Sequence, residues 1–430
     1  MGHLMARQDQ GQGKPYEGER FFYGWFIVGI LFFISVIDGG FTYIFSAFLK
    51  PLSQEFGWTR AETAAAFSLY LVGAGVSLPF WGWLADRRGV RLVFIVSALI
   101  DGTALVLLSR IHNLAVFYLL YLFLGVGLGG IGPATVGKVV AHWFVEKRGR
   151  ATGIALIGAG LGGLVLVPLS GFLIEEFNWR IAYQGLAVLA LGGMLPLVWL
   201  FLADTPQEKG LLPLGHDQHA EHLESGEERA GDSNEGWTLK EAFATTTFWL
   251  LSLTFGFGLM AAGAIHAHLV AFLQDTGSNL EVASSIAGVT LGLTMGGRFF
   301  IGWASERSHH IHWILSLCLV MQALGAGLLL CVEPFGTWAL VGFVVLFGLG
   351  YGGLVVLWPL AVGHDFGTRA FGAIAGVVGT AALSIGGAIG PVAAGALYDR
   401  TGDYFLAFLS CVGVFLAGAG AAFVTREPHR

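Results

Sequence analysis

Arg298 places one full positive charge inside Leu291-Gly-Leu-Thr-Met-Gly-Gly-Arg-Phe-Phe-Ile-Gly-Trp303, a stretch otherwise apolar enough to cross a bilayer. A charge at the centre of a membrane helix costs about 2.5–3.5 kcal/mol on insertion scales, so such residues face a partner or a water-filled cavity. Guanidinium stays ionised, and its fork matches a carboxylate with two parallel hydrogen bonds. Facing a cavity, Arg298 is an anion receptor; facing a buried acid, it is half of a structural ion pair. Other polar groups fall in comparable stretches. Asp38, set among Val36, Ile37, Gly39 and Gly40, has little nearby charge to hold it ionised, so it is a candidate to carry a proton, or else it marks a hydrated break. His266 and His268 could bind a substrate oxygen or accept a proton. Two positions apart on a helix they point in different directions, so at most one lines a cavity.

These groups need membrane helices to hold them. The chain has 430 residues, 55% hydrophobic and 12% charged, with a mean hydropathy of +0.70, which fits a polytopic membrane protein. Its net charge of -6 argues against a nucleic-acid partner. Cys318, Cys331 and Cys411 all fall in apolar runs, so neither a disulfide framework nor a metal-ligand spacing is present, and no cofactor is implied. Runs long enough for ~30 Å of hydrocarbon recur near 22–46, 60–84, 90–109, 114–142, 151–175, 181–202, 248–273, 282–305, 311–332, 336–362, 370–396 and 404–424. Lys and Arg set the orientation, because cytoplasmic loops retain positive charge. With both termini inside, only Lys50, Arg60, Arg110, Arg180 and Arg400 fall in outer loops, while Lys138 lies near an inner helix end, where it can snorkel.

The chain also repeats itself. Phe80-Trp-Gly-Trp-Leu-Ala-Asp-Arg87 matches Phe300-Ile-Gly-Trp-Ala-Ser-Glu-Arg307, and Gly125-Val-Gly-Leu-Gly-Gly130 matches Gly348-Leu-Gly-Tyr-Gly-Gly353. The predicted organisation is an all-α integral membrane protein of two pseudo-symmetric six-helix halves. A cytosolic tail (1–20) precedes the N-terminal half (21–202). A cytosolic linker (203–247), with Pro206, Pro213 and a charged run from His219 to Glu235, leads to the C-terminal half (248–424) and a tail (425–430). Parallel halves of this kind put a substrate site near the midplane between them.

Gly82-Trp-Leu-Ala-Asp-Arg-Arg-Gly-Val-Arg91 resembles the loop signature of the major facilitator superfamily between its second and third helices. The resemblance implies conformational gating by Asp86, Arg87 and Arg91, with Asp86 holding Arg91 or a neighbouring helix N-terminus. Gly386-Gly-Ala-Ile-Gly-Pro391, with Gly395, Asp399 and Gly402, looks like the matching signature around the eleventh helix. Within the superfamily, Tyr23-Gly-Trp25, Glu55-Phe-Gly-Trp-Thr-Arg-Ala-Glu62 and Trp143-Phe-Val-Glu-Lys-Arg-Gly-Arg-Ala-Thr-Gly153 are similar to the monocarboxylate transporters and the related bacterial oxalate-formate antiporters. In that family an arginine of the eighth helix receives the substrate carboxylate, and Arg298 matches it. Thr294 stands where the animal transporters carry an aspartate, and Tyr43 or Ala47 is nearest to their first-helix lysine, so carboxylate recognition transfers better than the proton route.

The resemblance also implies that Tyr43, Tyr70, Tyr351 and Trp358, on the first, second and tenth helices, line the cavity. It makes Asp101, on a peripheral third helix, a structural hydrogen-bonding residue. The expected function is a secondary transporter of small monocarboxylates, lactate- or pyruvate-like, by proton-coupled symport in a bacterial inner membrane. Substrate would be held by Arg298, Tyr43, Tyr70, His266, His268, Tyr351 and Trp358, with Asp38 or His268 as proton carrier. Its partners would be a small monocarboxylate anion, a proton and the lipid bilayer, with no obligate protein partner. Alternatives are a carboxylate exchanger and a non-transporting receptor or scaffold.

Overall fold

The computed structural model describes residues 22–214, 236–308, 310–367 and 369–428, so the N-terminal tail and the charged run from His219 to Glu235 lie outside the described residues. Twelve helices among them are long and apolar enough to span a membrane. They are α1 (Tyr23–Phe56), α2 (Arg60–Arg88), α3 (Val90–Leu108), α4 (Leu114–Trp143), α5 (Arg148–Glu176) and α6 (Trp179–Phe201) in one half. The second half holds α7 (Thr246–Asp275), α8 (Leu280–Arg307), α9 (Ile311–Leu329), α10 (Thr337–Phe366), α11 (Phe371–Thr401) and α12 (Phe405–Val424). Every apolar run read from the sequence lies on one of these helices. Several extend past the apolar run into polar ends. After a break at Ile44, α1 continues over Phe45–Phe56, where Phe45, Phe48, Leu49 and Leu52 face the protein while Lys50, Gln54 and Glu55 lie on the wetter side.

In hydrocarbon a helix must satisfy its backbone within itself, so its start needs a local acceptor. Thr59 begins α2 with a reciprocal cap: its side chain accepts from the Glu62 N–H at 3.1 Å, and the Glu62 carboxylate accepts from the Thr59 N–H at 2.9 Å. Asn113, Asn178 and Asn279 accept backbone N–H groups at the starts of α4, α6 and α8. The stretch between the halves also has ordered ends. Leu214 pairs with Trp143 and Val145 of the first half, and the Trp237 N–H donates to the Phe366 carbonyl of the second.

The halves meet along α5 with α8 and α2 with α11. Small residues allow the approach: Gly160 abuts Met295, Gly163 abuts Leu291, Gly288 abuts Pro168, and Gly395 abuts Ala61. The contact favours one end of the molecule, opposite to the end that carries the interhalf stretch and residue 428. At that closed end the α2 N-terminus is held by the other half, since the Asp399 carboxylate accepts the Arg60 and Ala61 N–H groups, both at 2.9 Å. The repeat reproduces the device, because the Glu175 carboxylate at the end of α5 accepts the Glu281 N–H of α8 at 2.8 Å. Lys50 and Arg60 add ion pairs to Asp275 of α7, at 2.6 and 3.3 Å. Toward the other end the spacing opens: a methyl on Gly82 of α2, Gly149 or Gly153 of α5, or Gly372 or Gly376 of α11 would meet nothing within 4 Å.

A carboxylate at a helix N-terminus contributes about 0.3–1 kcal/mol. Asp399→Asn combined with Glu175→Gln should therefore move the population away from this closed end by roughly three- to thirtyfold while leaving each half folded. Electron–electron distance measurements between spin labels at Gln54 and Thr401 read the change. An unaltered distance distribution would show that the two carboxylates do not hold the end closed.

Candidate functional site

Arg298 sits on α8 at the open edge of the contact between halves. Its Nη1 donates to the Leu156 carbonyl of α5 at 3.0 Å, while its Nε–H is buried without a hydrogen-bond partner. Among the described residues no carboxylate lies within ion-pair distance of it, so the structural ion pair that the sequence left open is not formed. Thr294, one turn earlier, bonds back to the Leu291 carbonyl at 2.6 Å and is buried there, so it does not serve the guanidinium.

Facing this charge is a group drawn from three further helices and both halves. Tyr43 of α1 and Tyr351 of α10 approach with hydroxyl oxygens 3.4 Å apart. His266 of α7 packs edge-on against both rings, 5.2 Å from Tyr43 and 4.7 Å from Tyr351, and also against Phe347 at 5.4 Å. The His266 Nε2 is buried without a partner, and Tyr351 lies within electrostatic reach of Arg298. An unpaired cation beside two hydroxyls and an uncommitted imidazole nitrogen is a donor-rich setting for a small anion. Trp358, two turns beyond Tyr351 on α10, has a buried indole N–H without a partner and packs closely against Gly379 of α11.

Not every residue singled out in the sequence joins this group. His268 points the other way, as the helical spacing requires of one of the pair. It is fully enclosed, with Nδ1 at 3.1 Å from the Tyr404 hydroxyl and Nε2 at 2.9 Å from the Pro391 carbonyl, which makes it a tie between α7, α11 and α12. Tyr70 is enclosed within the first half, where its hydroxyl donates to Thr42 of α1 at 3.0 Å. Asp38 is buried in that half too, within electrostatic reach of Asp101 of α3. The hydrogen bond expected for Asp101 is not formed: both its oxygens are buried without a partner, against Gly127 of α4. Sequence reasoning passed over Asp101 because its helix is peripheral by analogy. Its repeat counterpart gives a clue, since Gln322 of α9 likewise abuts a glycine, Gly350, and leaves its Oε1 buried and unpartnered.

The loop signature is also arranged differently from the expectation. Asp86 pairs with Lys138 of α4 at 2.5 Å instead of with Arg91, and so Lys138 is an ion-pair partner and not merely a snorkelling lysine. Asp204, beyond the end of α6, takes the helix-capping role. Its carboxylate accepts the Arg91 N–H at 2.7 Å, and the Arg91 guanidinium donates to the Trp199 carbonyl. Burial, partly offset by that N–H, raises the Asp204 carboxyl above its ordinary range. Gly89, at φ +88°, makes the turn, and a side chain there would overlap the Asp204 carboxylate. Arg87 lies over the Trp83 ring at 4.9 Å, and its repeat counterpart Arg307 over Trp303 at 4.0 Å.

Twelve spanning helices in two like halves, closed at one end around a polar group fed by both, define a membrane transporter that is not an enzyme. The chain belongs to the Major Facilitator Superfamily, whose family model matches residues 31–391. It is 26% identical over 420 residues to the probable sulfoacetate transporter SauU of Cupriavidus necator, covering 92% of this chain and 91% of that one. It is 27% identical over 438 residues to human monocarboxylate transporter 11, covering 96% and 84%. The solved D-xylose-proton symporter has the same fold, with a TM-score of 0.75 at 11% identity over 94% of this chain and 98% of that one.

Asp86 is largely exposed, so its ion pair is worth less than about 1 kcal/mol and its loss should leave the melting temperature within a few degrees. The gating role implied by the motif predicts that Asp86→Asn slows turnover several-fold while changing substrate affinity less than twofold. Unchanged turnover in the purified variant removes that role.

Proposed function

We propose that the protein moves small monocarboxylate anions, lactate- or pyruvate-like, by alternating access of its two halves, in symport with a proton. The observation that carries this reading is Arg298: an ionised guanidinium at the interface between halves, held by one neutral carbonyl, with a free Nε–H and with Tyr43, His266 and Tyr351 near it. A carboxylate supplies the missing charge and accepts from two guanidinium nitrogens at once. The hydroxyls and His266 then suit the oxygen of an adjacent hydroxyl or keto group. The relatives described above, a probable sulfoacetate transporter and a monocarboxylate transporter, are in keeping with a small organic acid.

Substrate binding and the change of access are coupled through the same residue. In this conformation Arg298 spends one donor on Leu156 of the other half, and an incoming carboxylate competes for that donor. The occupied site can therefore release α5 from α8 where the empty one holds them. With both termini cytoplasmic, the open side is the inner one. Entry of an anion against an inside-negative potential costs about 2.3 kcal/mol per 100 mV, and one accompanying proton cancels the charge movement. Asp38 and Asp101 are suited to carry it. Both are buried in the same half and interact electrostatically, and two carboxylates repel when both are ionised.

The reading is tested in proteoliposomes, where labelled lactate should accumulate under an inward proton gradient. Arg298→Lys keeps the charge but loses the fork, and uptake should fall at least tenfold in a variant that remains monodisperse. Near-normal uptake would sink the receptor role. Asp38→Asn should abolish uphill accumulation yet keep counterflow of lactate between compartments at equal pH. If accumulation persists in that variant, Asp38 is structural. If the wild type shows counterflow but no response to a proton gradient, the chain is an exchanger of the oxalate-formate kind instead.

A further inference from the structure

Away from the central site, at the end of the second half where the chain finishes, three side chains converge that the transport reading does not use. His312 starts α9, and His364 and Asp365 lie in the last turn of α10. The His312 Nε2 and the His364 Nδ1 both face the same Asp365 oxygen, at 3.1 and 3.0 Å, and the donor atoms of all three lie within 4.8 Å of one another. We propose that this trio binds a divalent transition cation of the zinc class. Two imidazoles and a carboxylate are the donors such a cation takes, with bonds near 2.0–2.1 Å that put tetrahedral donors about 3.4 Å apart. Reaching that spacing takes a slight spreading at the shared oxygen and an adjustment of the two imidazole nitrogens, which lie within 4.8 Å of each other; His364, about one-third exposed, can shift and leave a coordination position open to water.

The surroundings are those of a ligand set. Asp365 is enclosed, and its second oxygen is buried without a partner, which leaves acceptor capacity unused among the protein's own groups. His364 faces the site with Nδ1 while its Nε2 lies 3.4 Å from the Glu427 carboxylate, the arrangement in which an outer carboxylate fixes the tautomer of a metal-bound imidazole. Because Glu427 follows α12, a bound cation would tie α9, α10 and the chain's last described residues together at the open end of the molecule. The proposal is independent of what the central site carries. His312 and the adjacent pair lie far apart in the sequence, so no ligand spacing announced them.

Zinc binding to tag-free, detergent-purified protein tests it, by calorimetry and by metal content after desalting. Wild type should hold one equivalent that His364→Gln and Asp365→Asn each lose or bind at least tenfold more weakly, whereas His310→Gln, on the exposed loop nearby, keeps it. Retention by either ligand variant at wild-type affinity, or no zinc retained by wild type, overturns the site. Should Asp365→Asn not be obtained monodisperse, zinc-edge X-ray absorption of the wild type decides: two imidazole nitrogens with carboxylate and water oxygens support the trio, and any other shell overturns it.

Discussion

A guanidinium that cannot discharge itself, placed inside a membrane helix and given a single neutral partner from the opposite half, is the constraint around which this protein is arranged. The cost of keeping Arg298 there is borne only if something else contributes stabilisation, and the Leu156 carbonyl offers one hydrogen bond where five donors are available. Tyr351 lies within electrostatic reach of the guanidinium, and Tyr43 and His266 pack against Tyr351. Because Leu156 belongs to α5 and Arg298 to α8, the residue proposed to receive the ligand is also a fastener between the halves. Binding and conformational change thus draw on the same donors, which is how a ligand acquires different affinities for two states.

The rest of the interface is built to open. It contains glycines set against Met295, Leu291, Pro168 and Ala61, and two carboxylates, Asp399 and Glu175, seated on helix starts of the other half. The two carboxylates are exposed and each contributes weakly, so they can be exchanged without leaving a buried charge stranded. Within each half the ties are of another kind. His268 bonds to Tyr404 and to the Pro391 carbonyl, Tyr121 bonds to Tyr183, and Trp143 bonds to the Ala203 carbonyl, all of them enclosed and costly to break. Rigid halves with a loose seam are what rocking about a central site demands.

How far the site was legible depended on whether a residue's partner was local. The identity of Arg298 as an anomaly needed only its neighbours in the chain, and the divergence of His266 from His268 needed only helical geometry. Asp86 was misjudged because its partner, Lys138, sits on α4, and Asp204 rather than Asp86 caps α3. Asp101 was misjudged because a buried acid reads as hydrogen-bonded until the packing against Gly127 is known. In each case the short-range signal was compatible with several long-range partners.

By itself the sequence determined the twelve spans, the two-fold repeat and the presence of a permanent cation within a span. These follow from hydropathy and from chain-local spacing, which hydrocarbon enforces strictly because backbone groups have no water to turn to. Only the tertiary structure decided that Tyr43, His266 and Tyr351 gather near Arg298, that His268 and Tyr70 do not, that one end is closed by carboxylates on helix N-termini, and that His312 meets His364 and Asp365. Those choices depend on how helices rotate and cross. With Gly and Ala on many faces of each helix, the pattern of apolar residues leaves that rotation open until close packing selects one arrangement.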